Sequence, residues 1–330
     1  MHSRTCHLVF PDSRHLARLM LAPALALCLG LPACSRHDTP AAAAAGDAAA
    51  APASAAVAQA TSLKREALMQ IAFPGWRDDA EGRVAVARLP DQDFKGKEAV
   101  SLQESSLDVK PIQVVRLDET HAVMLTEGVE LDEDGTPLGG HASGAWLGVY
   151  FFTRDGGHWR LSRRIDGYDC LGAQGLLGRS RVDKVSATDF AMTLTWGSCW
   201  QGYCGSWASV YRLAPGQITT LLDTVPMSAE NSGALEPCGD ALAGKPPAPG
   251  ASGADSQDDG EQTCFSVDGK PAFAAGVDAP GDLTLTFQGE EVKLRAGKAP
   301  RRRSLDASVH YRFADGKYVL SQGENPVPSF

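Results

Sequence analysis

The chain has 330 residues, 43% hydrophobic and 22% charged, which is enough apolar material for a sizeable core. Its 31 Lys and Arg against 40 Asp and Glu give a net charge of −9, and no basic-aromatic stripe reverses that sign locally. A surface of this charge repels nucleic acid, so no nucleic-acid partner is expected.

Residues 1–33 read as a leader. Arg4, Arg14 and Arg18 lie in a long n-region, followed by an apolar run from Leu19 to Leu31 and a small residue, Ala33, before Cys34. This is the pattern of a signal peptide, and thirteen apolar residues fall short of the roughly 20 that a spanning helix needs. No later stretch is long and apolar enough to span either. Leu31-Pro32-Ala33-Cys34 resembles the lipobox at which bacterial lipoprotein precursors are cut. The resemblance implies that Cys34 carries the lipid anchor, with palmitate-type chains on its sulfur and its new amino group. Several chains give firm attachment where one is marginal. Pro32 departs from the usual lipobox and leaves a second outcome open, cleavage near Ala33 to a soluble periplasmic product. Ser35 after the cysteine is similar to cargo sent to the outer membrane, so the expected location is lipid-anchored there and facing the periplasm, with the cell surface as another alternative. Without residues 1–33 the chain keeps 28 basic and 39 acidic residues, a net charge near −11.

Residues 34–61 are Ala-rich, with Pro40 and Pro52 and no apolar periodicity, and read as the lipidated cysteine followed by a loose tether. The folded part is expected from Ser62. Leu63, Ala67, Leu68 and Ile71 share one face of a short helix, the one helix the pattern predicts.

Short runs of branched and aromatic residues follow, punctuated by Gly-containing turns. Trp146 to Thr153 is apolar on both faces, His158 to Ser162 alternates, and Arg154-Asp155-Gly156-Gly157 joins them as a hairpin. Val210 to Leu213 and Ile218 to Leu222 form another around Pro215-Gly216. Leu283, Leu285 and Phe287 with Val292 to Leu294 suggest a hairpin turning at Gly289. Val309, Tyr311 and Phe313 turn at Ala314-Asp315-Gly316 into Tyr318 and Leu320. The fold class is therefore mainly β, with antiparallel hairpin-rich sheets in a sandwich or meander, or a small propeller-like array, and one short N-terminal helix. The domain reading is a main β domain at 62–236, a disulfide-stapled surface excursion at 237–262, and C-terminal β hairpins at 263–330 packing on the main domain.

Five cysteines fall in the folded part: Cys170, Cys199, Cys204, Cys238 and Cys264. Export to an oxidising compartment predicts two bridges and one spare thiol, with Cys199–Cys204 and Cys238–Cys264 as the preferred pairs and Cys170 competing for either. In the chain-entropy model these two bridges contribute about 2 and about 3.5 kcal/mol. Four residues between Cys199 and Cys204 do not match the two of a thioredoxin-like site, and no second pair at ligand spacing suggests zinc.

The chain lacks a Gly-x-Ser-x-Gly elbow, a His-Glu-x-x-His helix, a P-loop and a Rossmann fingerprint. No catalytic residue, metal ligand or cofactor is therefore assigned. Asp132-Glu133-Asp134-Gly135 and Asp255 to Glu261 look like fragments of calcium loops but read as solvated turns. Arg301-Arg302-Arg303 reads as a solvated turn between strands, and His121, His141, His158 and His310 as surface residues. The densest feature is Trp196 to Trp207, four large aromatics with glycine and polar neighbours around the Cys199 and Cys204 staple. Trp196 shares a face with Met192 and Leu194, and Trp207 and Tyr211 share one with Leu213, which assigns all three to the core. Trp200 and Tyr203 are left as loop aromatics suited to stack on a sugar ring, with Gln201 and Ser206 as hydroxyl partners. The expected function is an envelope lipoprotein acting as a non-catalytic binding module, for peptidoglycan or another glycan. A protein-interaction or assembly lipoprotein and an enzyme of unrecognised type are the alternatives.

Overall fold

The computed structural model describes residues 58–90, 102–245, 261–295 and 297–329. The leader, Cys34, the tether up to Val57 and most of the 237–262 segment lie outside them. The chain enters through β1 (Gln59–Ala60) and α1 (Arg65–Ala72), then builds β2 (Val84–Pro90), β3 (Leu102–Arg116), β4 (His121–Glu130), β5 (Ala145–Asp155) and β6 (His158–Leu171). These six strands form one antiparallel sheet in the order β1-β6-β5-β4-β3-β2. A second antiparallel sheet follows from β7 (Arg179–Lys184), β8 (Phe190–Trp200), β9 (Tyr203–Ala214) and β10 (Gln217–Glu230). After α2 (Glu236–Leu242) it continues with β11 (Gln262–Phe273), β12 (Leu283–Leu294), β13 (Arg301–Ser304), β14 (Ala307–Ala314) and β15 (Lys317–Gln322). Its order is β15-β14-β12-β11-β10-β9-β8-β7, with β13 pairing on β12. Among the described residues, no helix is long and apolar enough to cross a membrane.

The two-sided apolarity of β4 and β5 explains how the layers stack. Val123, Leu125, Leu147, Val149 and Phe151 meet Met192, Leu194, Trp196, Tyr211 and Leu213 of the second sheet. The alternate residues Ala122, Met124, Trp146, Tyr150 and Phe152 face the other way, onto Leu68, Met69, Ile71 and Phe73 of the α1 region. A strand buried on both faces has no polar side to alternate with, and its sequence reads as a continuous apolar run. The result is two sheets packed face to face, not the separate blades of a propeller.

The first sheet also curls until its end strand β2 meets β6. Asp166 closes that seam: Oδ2 accepts the Arg88 N–H at 2.8 Å, and Oδ1 accepts the Tyr150 hydroxyl at 2.8 Å and Arg164 Nε at 2.7 Å. Arg164 then reaches the carbonyls of Ala72 and Val86 and lies over the Phe73 ring, fastening α1 to the same seam. The second sheet folds over on itself, since Val210, Leu221 and Met227 share one cluster with Phe265, Phe287, Val309 and Tyr311 from its other half. Arg181 of β7 donates to the Pro271 carbonyl of β11 at 3.2 Å, and Asn325 of the C-terminal tail donates to the Pro226 carbonyl at 2.9 Å.

Several expectations need correction. A second helix is present: α2 starts where the surface excursion was expected and is held by the Cys238–Cys264 bridge, with Ala241 and Val292 packed around it. Gly289 does not turn the chain. β12 runs straight through it, and a Cβ there would collide with the Ser266 carbonyl on β11, so close backbone approach is what requires the glycine. Arg301 to Arg303 form the strand β13 instead of a turn, and each arginine pairs with a glutamate. Order begins before Ser62, because Gln59 and Ala60 pair with Arg160 and Trp159. The change of sheet falls between β6 and β7, and β10 pairs with β11 across the excursion, making 263–330 part of the second sheet.

Candidate functional site

The Trp196 to Trp207 stretch is the end of the β8–β9 hairpin. Gln201 and Gly202 hold φ of 50° and 82°, the two positive values of a type I′ turn, whose twist matches that of the flanking strands. Trp196 lies opposite Trp207, and Cys199 opposite Cys204, in direct register. The Cys199–Cys204 disulfide, with its Cα atoms 4.0 Å apart, therefore staples the rung next to the final Trp200–Tyr203 pair. A third restraint comes from outside the hairpin: Gly202 abuts Gly233, where a Cβ would overlap the Gly233 carbonyl group. The tip is fixed by its turn type, a covalent bridge and a neighbouring turn.

The four expected ligand-binding residues do not converge. Trp200 is 63% exposed at the tip, and Gln201 is exposed beside it. Tyr203 is half-buried and leans towards Phe265, with ring centroids 6.5 Å apart. Ser206 Oγ is 2.6 Å from Ser228 Oγ across the β9–β10 ladder and is engaged there. Trp196 and Tyr211 are buried between the sheets, and Trp207 is packed against the same cluster.

The neighbour that sequence reasoning missed is His141. It lies in the β4–β5 connection, exposed, with its ring centroid 5.1 Å from that of Trp200 and Nε2 3.4 Å from Ser198 Oγ. The 172–178 loop contacts the same connection and β8. Gly175 N–H donates to the Ser143 carbonyl at 2.9 Å, and Gly178 sits against the Thr195 carbonyl of β8. Within that loop Ala173, Gly175 and Leu177 are buried while Gln174 and Leu176 are exposed, Leu176 at 56%. Gln174 holds a positive φ of 57°. No signal in a single sequence couples residues 141, 174 and 200, which are separated by tens of positions.

Other charged groups are committed to structure. Asp132 Oδ1 accepts the N–H groups of Asp134 at 3.0 Å and Thr136 at 2.8 Å, so the first calcium-like fragment is a capped turn. The second lies largely outside the described residues, and among the described residues no cluster suited to a metal ion occurs. Asp189 is buried and takes Arg212 Nε at 2.7 Å and Ser186 Oγ at 2.9 Å. Asp118 lies in the β3–β4 turn. Burial raises its carboxyl, but hydrogen bonds from Thr120 and His121 outweigh that and bring its pKa down to about 2. A shallow depression of about 520 Å³ is lined by Glu291, Lys293, Arg301, Arg302 and Arg303, where cations and carboxylates already face one another.

The preferred disulfides Cys199–Cys204 and Cys238–Cys264 are both formed. The expected competition from Cys170 does not arise: it lies on β6 opposite Trp146 and takes part in neither of these two bridges. Compared with family models, curated proteins and solved structures, the chain matches none.

Proposed function

We propose that this chain is an envelope lipoprotein, anchored through Cys34 in the outer membrane and facing the periplasm, that acts as a non-catalytic binding module for an envelope glycan such as peptidoglycan. The observation that carries the reading is Trp200. A large aromatic side chain is held 63% exposed on a tip restrained by the Cys199–Cys204 bridge. Exposed tryptophan is a standing cost in water that a stacked sugar ring relieves, and a rigid platform loses little entropy on binding. The leader, the lipobox-like Leu31-Pro32-Ala33-Cys34 and the Ala-rich segment support the address and a tethered presentation.

The test is co-sedimentation of the full chain, purified in mild detergent, with peptidoglycan sacculi, beside Trp200→Ala. Binding by the wild type that the variant loses, with its melting temperature unchanged, is the expected result. Equal binding by both would place recognition elsewhere, and no binding by either would reject the glycan reading. A protein partner is a second reading, favoured by Val84 and Val86, which are 48% and 60% exposed on the end strand β2. It predicts a specific envelope protein in crosslinking through β2 and indifference to Trp200→Ala.

A further inference from the structure

Three segments are linked in series: the hairpin end 196–207 touches 137–143 through the Trp200 and His141 rings, and 137–143 is tied to 172–178 through the Gly175 to Ser143 hydrogen bond. Together they hold 26 residues without one Asp, Glu, Lys or Arg, where the chain's 22% charged composition would place about six. Eight of the 26 are glycine, and four of these, Gly139, Gly140, Gly178 and Gly197, are exposed, with no side chain of their own over the backbone. The charged residues flanking them in sequence, Asp134 and Arg179, fall outside the loops, and Glu127 spends a carboxylate oxygen on the Leu177 N–H at 2.8 Å.

Two further features single out this surface. Trp200 and Leu176 are two of the most exposed large apolar side chains among the described residues. Among the described residues four non-glycine residues hold a positive φ, and two of them, Gln174 and Gln201, lie on these loops. Glycine or asparagine meets that backbone demand more readily than glutamine does. Strain retained at such positions points towards use of the side chain, here a long primary amide beside an apolar ring.

Resting on the glycan reading above, we infer that the binding surface spans all three loops and takes an uncharged, N-acetylated glycan backbone in place of an anionic polymer. Trp200 and Leu176 offer apolar surface to ring faces and acetyl methyl groups. Gln174, Gln201 and the glycine backbone offer donors and acceptors to acetamido and hydroxyl groups. The three segments themselves carry no charge, and the nearest strand adds an exposed carboxylate, Glu230, opposite Cys204, so on a protein of net charge −9 an uncharged ligand is accommodated where a polyanion would be repelled. An anion would instead favour the Arg301 to Arg303 strand, on the second sheet.

The experiment measures the full chain in detergent against sacculi and against soluble N-acetylglucosamine oligomers, from about 0.05 to about 0.5 M salt, a range that shortens electrostatic reach several-fold. Leu176→Ser, His141→Ala and the double variant Arg301→Glu/Arg303→Glu are compared, with melting temperatures as the folding control. The expected result is salt-insensitive binding to sacculi, competed by the oligomers, weakened roughly five-fold by Leu176→Ser or His141→Ala and unaffected by the arginine changes. Binding that needs Trp200 but ignores Leu176 and His141 overturns the three-loop surface and leaves the glycan reading standing. Binding abolished by salt or by the arginine changes overturns the uncharged-ligand inference. No binding to either glycan rejects both.

Discussion

The Tyr150 hydroxyl donates to Asp166 Oδ1 at 2.8 Å where β2 is brought against β6, so one carboxylate closes the first sheet in place of a backbone ladder. The same carboxylate takes Arg164 and the Arg88 N–H, and its side chain is only 3% exposed. A buried charge satisfied by three donors organises its surroundings, and removing it strands the donors.

Asp166→Ala is therefore expected to destabilise the protein by about 3 kcal/mol, the scale for breaking a buried pair. Tyr150→Phe, which removes one bond to a charged acceptor, should lose about 1.5 kcal/mol. Denaturant unfolding of both variants checks this. A loss below about 1 kcal/mol for Asp166→Ala would mean that the seam is held by apolar packing alone.

Glu130 is the group to follow with pH. Burial raises its carboxyl above the ordinary 4.5, and the Trp146 indole N–H, at 2.7 Å, opposes that only in part. A raised carboxyl pKa means that the folded state holds the proton more tightly than the unfolded one. Its ionisation therefore costs stability above the folded pKa, and the cost vanishes below the unfolded value. Glu130→Gln, whose amide oxygen still accepts the indole N–H, should raise the melting temperature at pH 7 and leave it unchanged at pH 4. A lower melting temperature at pH 7 would show that the charged hydrogen bond outweighs the burial.

The two described disulfides should differ in effect. Replacing Cys238 and Cys264 by alanine is expected to lose about 3.5 kcal/mol and replacing Cys199 and Cys204 about 2, from the loop each bridge closes. Only the first should increase hydrogen exchange in α2, because Cys238 is buried in that helix against β11 and β12. Equal losses, or protection of α2 that persists without its bridge, would contradict this.

Much of the β content is legible in the sequence because a hairpin is local. Gly156-Gly157 and Asp315-Gly316 each supply two residues able to hold positive φ between two strand-like runs, and each becomes a turn. Gly289 fails the same reading, since glycine serves equally where two backbones press together, and only the facing strand separates the uses. The aromatic stretch divides in the same way. Parity assigns Trp196, Trp207 and Tyr211 to the core, but it says nothing of Ser228 waiting for Ser206 or of Phe265 beneath Tyr203.

By itself, then, the sequence determined an acidic chain, a mainly β fold and the Cys199–Cys204 staple beside Trp200, because composition, alternation and turn chemistry act within a few residues. Only the tertiary structure decided that β4 and β5 are covered on both faces, that Asp166 joins β6 to β2, and that His141 lies against Trp200. Periodicity encodes which face of a strand is apolar, but what covers that face depends on contacts between distant segments, and those exist only once the two sheets have packed.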